Sequence, residues 1–203
     1  MIMAIQTLKY TITGEGAILI NNPQTVDRFN VYSKSMALIN RKGTRRTDED
    51  YLELRKLEIK AKLYFDDEMG VYIPATWVTA AIQKISHKQA KIAKADIRGS
   101  VFSAEVSNKI KLNYRDMKLV KTMDDVVGNP NFHKLLLLKQ GQVKIAKNFP
   151  IFHDWSFSGE LEFDDTTVDG STLEGLLKYA SRYGGFGDFR PTFGRATAVT
   201  EIL

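Results

Sequence analysis

Trp155-Ser156-Phe157-Ser158-Gly159-Glu160-Leu161-Glu162-Phe163 carries large apolar side chains at four odd positions and serine or glutamate at the even ones. A period of two with one apolar face marks a half-buried strand. Asp164-Asp165 and Asp169-Gly170 then mark a loop. Ser171 and Glu174 have the spacing of a capping box. Leu173, Leu176, Leu177 and Ala180 form the apolar stripe of a helix, and Gly184 suits its C-terminal end. A glycine-rich loop leads into a last strand from about Thr192 to Ile202. The tail therefore reads strand, helix, glycine loop, strand.

Upstream, Leu8, Tyr10 and Ile12 alternate with Thr7, Lys9, Thr11 and Thr13, a first half-buried strand that Gly14 and Gly16 break. Thr47, followed by Asp48, Glu49 and Asp50, predicts the start of a helix over about residues 48–62. Asp66 to Gly70 reads as a turn between Leu63-Tyr64-Phe65 and Val71-Tyr72-Ile73. Pro74 opens a second helix with Trp77, Ala80, Ala81 and Ile85 on one face. Phe102, Ala104 and Val106 alternate, as do Ile110, Leu112 and Tyr114. Asp124-Asp125 and Gly128-Asn129-Pro130 read as loop, and Leu135 to Leu138 as a buried strand. Gln140-Gly141-Gln142 turns the chain into a strand with Val143 and Ile145. Such a mixture predicts an α+β fold: an antiparallel sheet with helices on one face, its tail suggesting a ferredoxin-like, split βαβ arrangement.

Composition narrows the function. The chain has 203 residues, 43% hydrophobic and 26% charged, an ordinary globular composition. The absence of cysteine excludes a disulfide scaffold, a cysteine zinc site, an iron–sulfur cluster and thiol catalysis. Three scattered histidines, His87, His133 and His153, predict no metal site, and no cofactor is expected. No run approaches the roughly 18 apolar residues that span a bilayer. The start Met1-Ile2-Met3-Ala4-Ile5-Gln6-Thr7-Leu8-Lys9 lacks the features of an export signal, so a cytoplasmic protein is expected.

The net charge is only +5, so its distribution matters more than its size. Arg28, Lys34, Arg41, Lys42, Arg45 and Arg46 fall in one stretch without an acid. No clean period runs through it, and it reads as a protruding loop or loose hairpin, an insertion at about residues 28–46. A second tract holds Lys84, Lys88, Lys91, Lys94 and Arg98 against Asp96 alone. A helix continued through it lines Lys84, Lys88 and Lys91 along one side.

The glycine loop is Tyr183-Gly184-Gly185-Phe186-Gly187-Asp188-Phe189-Arg190-Pro191-Thr192-Phe193-Gly194-Arg195. It closes a helix and enters a strand, the reverse of a dinucleotide-binding turn, and it lacks the Gly-Lys-Ser/Thr of a Walker loop. Glycines let a backbone approach phosphate closely, the arginines fork onto phosphate, and the rings offer stacking surfaces.

This context resembles the RAMP superfamily of CRISPR systems. Gly185-Phe186-Gly187 matches the first half of that family's Gly-hydrophobic-Gly signature, and Gly194 matches part of the second. Val71-Tyr72-Ile73-Pro74-Ala75-Thr76-Trp77-Val78-Thr79-Ala80-Ala81 resembles its Ile-Pro strand-to-helix step, with Ala75, Trp77 and Thr79 replacing the family's small and charged residues. The layout is also similar to phage-encoded proteins with the same Ile-Pro helix and terminal Gly-Phe-Gly-Asp-Phe-Arg-Pro signature. The resemblance implies an RRM-like ferredoxin fold in one RAMP-like domain over residues 1–203, with residues 28–46 as a thumb-like insertion touching RNA. It also implies assembly side by side along a strand, as a homo-oligomer or a subunit of a ribonucleoprotein complex.

The leading expectation is a non-catalytic binder of single-stranded nucleic acid, RNA or DNA, with RNA favoured. Sheet and glycine loop would form its platform, and lysines and arginines would neutralise phosphates. The expected binding residues are Arg41, Lys42, Arg45, Arg46, Lys84, Lys88, Lys91, Lys94, Arg98, Gly185, Phe186, Gly187, Phe189, Arg190, Gly194 and Arg195. A first alternative is a metal-independent endoribonuclease of the CRISPR RNA-processing type, with His87 as general acid or base beside Lys84 and Lys88. A second is a phage protein that interacts with or inhibits a host defence complex.

Overall fold

The computed structural model describes residues 5–203; the first four, part of the stretch read for an export signal, lie outside the described residues. The residues gather into two compact units. The first comprises residues up to Ile18, Val71–Met117 and Phe152–Leu203, and the second Leu19–Gly70 and Lys118–Ile151. Along the chain, the second unit is thus contributed by two separate segments, where the sequence suggested one insertion at 28–46.

The elements in chain order are β1 (Ile5–Gly14), β2 (Ile18–Leu19), α1 (Val31–Asn40), α2 (Asp48–Lys62), β3 (Phe65–Asp66), β4 (Gly70–Pro74), α3 (Thr76–Ala90) and α4 (Lys94–Ser100). They continue with β5 (Val101–Ser103), β6 (Lys109–Lys111), α5 (Met123–Gly128), β7 (His133–Gln140), β8 (Val143–Phe152), β9 (Ser156–Asp164), α6 (Gly170–Tyr179) and β10 (Ala196–Ile202).

The first unit is built on a four-stranded sheet in the order β10-β1-β9-β5, with every neighbour antiparallel. Along the chain these strands and the main helices run β1-α3-β5-β9-α6-β10. That is βαββαβ with strand order 4-1-3-2, the split βαβ of a ferredoxin-like fold. Register follows from the alternation. Leu8 faces Leu161, and Ile12 faces Phe157, across β1 and β9. All four are fully buried, as are Leu173 and Leu177 of α6 and Val78 and Ile82 of α3. Burial of each such side chain contributes about 1.5–3 kcal/mol, so this apolar layer holds the helices on one face of the sheet.

Several local expectations are corrected. The helix after Pro74 begins at Thr76, because Pro74 still pairs with Lys109 in the β4–β6 ladder. Its inward face is Val78, Ala81, Ile82 and Ser86; Ala80 is exposed. The cap of α6 is Asp169, not Ser171: its Oδ1 accepts from the Thr172 amide at 3.0 Å and from the Ser171 hydroxyl at 2.6 Å. Those bonds, the Ser171 hydroxyl's first, hold the Asp169 carboxyl at a pKa of about 2. Phe102 pairs opposite Glu162 and points to solvent, leaving Val101 as the buried residue of β5.

In the second unit, α2 spans the residues its sequence predicts. Thr47 caps it, and the Asp50 carboxylate accepts from the Thr47 amide at 3.1 Å in a capping box. Part of the basic segment that reads as a loop is instead helix α1, which Asn30 caps by accepting from the Tyr32 amide at 2.9 Å, while Arg41 to Arg46 follow it as turn. Its helical period is hard to read because α1 buries none of its residues. Asp124 and Asp125, which also read as loop, start α5, where Asp125 accepts from the Lys121 and Thr122 amides. The β7–β8 hairpin forms about Gly141, but Leu135 and Leu137 are exposed on it rather than buried. Ile59, Leu63, Val126, Phe132, Phe149 and Ile151 make the unit's core.

Candidate nucleic-acid interface

Charge divides between the two units unevenly. The first carries 13 Lys and Arg against 13 Asp and Glu, and the second 16 against 11. The whole excess of the chain therefore resides in the second unit.

Three exposed features of that unit display it. Around α1, Arg41 and Arg45 are exposed, and Lys42 forms an ion pair with Asp50 at 2.6 Å. The Lys42 hydrogen bond is the main reason the Asp50 carboxyl titrates below its usual range. Arg46 donates from Nε to the Gly43 carbonyl at 2.9 Å and from Nη1 to Asn40 Oδ1 at 3.2 Å. Its guanidinium lies 5.0 Å from the Tyr51 ring centroid. Phe29, 64% exposed, has Arg28 at 4.7 Å and Lys34 at 5.6 Å over its ring. The third feature is the β7–β8 hairpin, which sequence reasoning missed. Lys134, Lys139 and Lys144 are exposed on it, and no acid occurs from Val126 to His153. That acid-free run was the available signal.

The first unit has its own cationic tract. Lys84 and Lys88 are exposed one turn apart on α3, and Lys94 and Arg98 one turn apart on α4. Lys91 does not extend the α3 row: it takes a left-handed conformation with φ 60° and terminates the helix. His87 is exposed in this tract.

The glycine loop is spent on structure. Beyond α6 the chain widens into a π-turn, Ala180–Gly184, which the Gly185 amide closes onto the Ala180 carbonyl at 2.9 Å. The Phe186 amide donates to the Gly194 carbonyl at 2.8 Å, and the Gly194 amide to the Ala17 carbonyl at 2.8 Å. The amides of Phe189 and Phe193 also donate within the loop. Donors used this way are not offered to phosphate. Gly185 and Gly194 both have positive φ, and a Cβ on Gly185 would lie 2.9 Å from the Gly194 carbonyl oxygen. Here close backbone approach serves another stretch of the same loop. Phe186 is 1% exposed and meets Trp155 and Phe157 edge-on, with centroids 6.4 and 5.3 Å away, so it presents no stacking face. Arg195 reaches Glu15 Oε2 at 3.1 Å, and Arg182 pairs with the other oxygen of that carboxylate. Gly187 also has positive φ; Phe189 is partly buried, and Arg190 is exposed.

The open face of the four-stranded sheet is no base-stacking platform either. It carries Lys9 beside Glu160 at 3.7 Å, with Glu162 and Glu201 exposed on the same side. Thr11 and Ser158 join hydroxyls across it at 2.9 Å. Among the described residues of this face, Phe102 supplies the single exposed ring.

Among the described residues, no three or more His, Asp or Glu side chains are grouped to hold a metal ion. No helix described is long and apolar enough to cross a membrane. No protein-family profile matches the chain, and no curated protein matches it. Among solved structures, the crystal structure of Cmr6 from Pyrococcus furiosus is similar over 98% of this chain and 100% of that chain, at a TM-score of 0.41 and 11% identity.

Proposed function

We propose that this chain is a RAMP-like, non-catalytic binding protein for single-stranded nucleic acid, with its second unit as the main contact. The observation that carries the reading is the confinement of the entire cationic excess to that unit. It is displayed there on α1, the turn after it and the β7–β8 hairpin, beside the exposed rings of Phe29 and Tyr51. Cations that neutralise phosphates release counterions, and open rings stack bases without demanding a sequence. Arg41, Lys42, Arg45 and Arg46, with Lys134, Lys139 and Lys144, are the contacts proposed in the second unit. Lys84, Lys88, Lys94 and Arg98 offer a further basic surface, and Arg190 a single added charge. RNA is preferred to DNA on the resemblance of the Ile73-Pro74 step and the Gly185-Phe186-Gly187 loop to the RAMP superfamily. The same resemblance favours assembly of copies, or of related subunits, along the strand.

Fluorescence anisotropy with a labelled twelve-nucleotide RNA tests this. Affinity is expected to fall steeply between 50 and 200 mM salt, whereas absent or salt-insensitive binding rejects the reading. Cleavage of the same RNA in EDTA, lost in His87→Ala, would favour a nuclease instead.

A further inference from the structure

Within the second unit, one face of α2 opens onto a cavity of about 430 Å³. That lies in the range of small-molecule sites, about 300–1,000 Å³. Tyr51, Leu54, Arg55 and Glu58 line it from α2, Met36 and Asn40 from α1, and Leu135 and Ile145 to Lys147 from the hairpin. The α2 residues fall at i, i+3, i+4 and i+7, the spacing of a single helix face. Here that face holds one aromatic, one aliphatic, one cationic and one anionic group rather than a uniform apolar stripe.

The polar groups are arranged asymmetrically. Glu58 is 9% exposed and fully engaged: Oε1 accepts from Lys147 Nζ at 2.8 Å, and Oε2 from the Asn148 amide at 2.7 Å. It therefore fixes the hairpin and the Lys147 ammonium against α2 instead of standing as a loose negative charge. Arg46 is held by Gly43 and Asn40 over the Tyr51 ring. Arg55 is exposed and makes no ion pair among the described residues. Beyond the Lys147–Glu58 pair, Arg46 and Arg55 add two further cations around a floor of Met36, Leu54 and Leu135. A ligand that fits has a flat apolar part and an anionic part.

We infer that this cavity takes one nucleotide of the bound strand, its base against Tyr51, Met36 and Leu54 and its phosphate at Arg55 and Lys147. The inference rests on the proposed nucleic-acid binding and gives it an anchor. A strand lying only on α1 and the hairpin would be held by charge and by the surface ring of Phe29. One inserted base adds a contact that salt does not weaken.

The test uses the full chain and a twelve-nucleotide RNA carrying a single 2-aminopurine, read by fluorescence and by anisotropy. With wild type, 2-aminopurine emission is expected to be quenched on binding. Tyr51→Leu is expected to abolish the quench and weaken binding about tenfold, with the salt slope unchanged. Tyr51→Phe, which keeps the ring, is expected to restore both. Arg55→Ala is expected to reduce the salt slope by about 0.7. Circular dichroism confirms that each variant is folded. If the RNA binds with steep salt dependence but 2-aminopurine is unquenched and Tyr51→Leu binds as tightly as wild type, the cavity assignment falls while nucleic-acid binding stands. If the RNA does not bind at all, both fall together.

Discussion

A Cβ built on Gly194 would lie 1.8 Å from the carbonyl oxygen of Phe186, whose own amide donates to the Gly194 carbonyl. The glycine-rich loop is a backbone clasp, drawn tight where two of its glycines cross. Gly194→Ala is therefore expected to destabilise the protein by roughly 3 kcal/mol or more, since both the contact and the φ of +76° exclude a side chain. Gly175→Ala is the contrast. It lies exposed in α6, where an added Cβ would meet nothing within 4 Å, and is expected to stabilise by about 0.4–1 kcal/mol. Urea unfolding of the two variants reads the difference.

Phe186 makes a related point about the same loop. Its ring is part of the core with Trp155 and Phe157, and the Trp155 indole donates from Nε1 to the Gly16 carbonyl at 2.7 Å. Phe186→Leu is expected to cost about 1–3 kcal/mol of stability and to leave RNA affinity within twofold of wild type once folding is corrected for. A large affinity loss in a fully folded Phe186→Leu protein would return the loop to the binding surface.

How far the sequence can be read depends on where each residue's partner lies. Strand β9 and the stripe of α6 are legible because one buried face imposes a period on the order of residues, and helix α2 because its cap and first-turn acids mark its start. Helix α1 is not, because with no buried face there is no period to find. Hydrophobicity places Phe102 and Leu137 inside, but register and an open hairpin face put them in water. The glycine loop misleads for a related reason. A glycine required by another backbone and one required by a phosphate look alike in one dimension, and only the Gly185–Gly194 crossing separates them. Among the candidate site residues, the charges are legible as runs, whereas Tyr51, Arg55 and Lys147 converge only through folding.

His133 supplies a pH test of the second unit. Burial, the dominant cause, pushes its imidazole below 6.5, and Nε2 meets the Val126 carbonyl at 3.1 Å. A folded pKa below the unfolded one means that the unfolded chain takes up the proton more readily. Stability is then fully present above about pH 6.5 and is lost as pH falls from there through the folded value. The thermal midpoint is expected to drop more between pH 7.5 and pH 5 in wild type than in His133→Gln. Equal drops in the two proteins would remove His133 from the pH response.

The most direct measurement is the salt dependence of RNA affinity for wild type and for a variant with Arg41, Arg45, Lys139 and Lys144 all changed to Gln. At about 0.7 of slope for each phosphate neutralised on a single strand, the four changes are expected to flatten the plot of log affinity against log salt by roughly three and to weaken binding at every salt concentration. A variant that binds with unchanged affinity and slope would contradict the assignment of binding to the second unit.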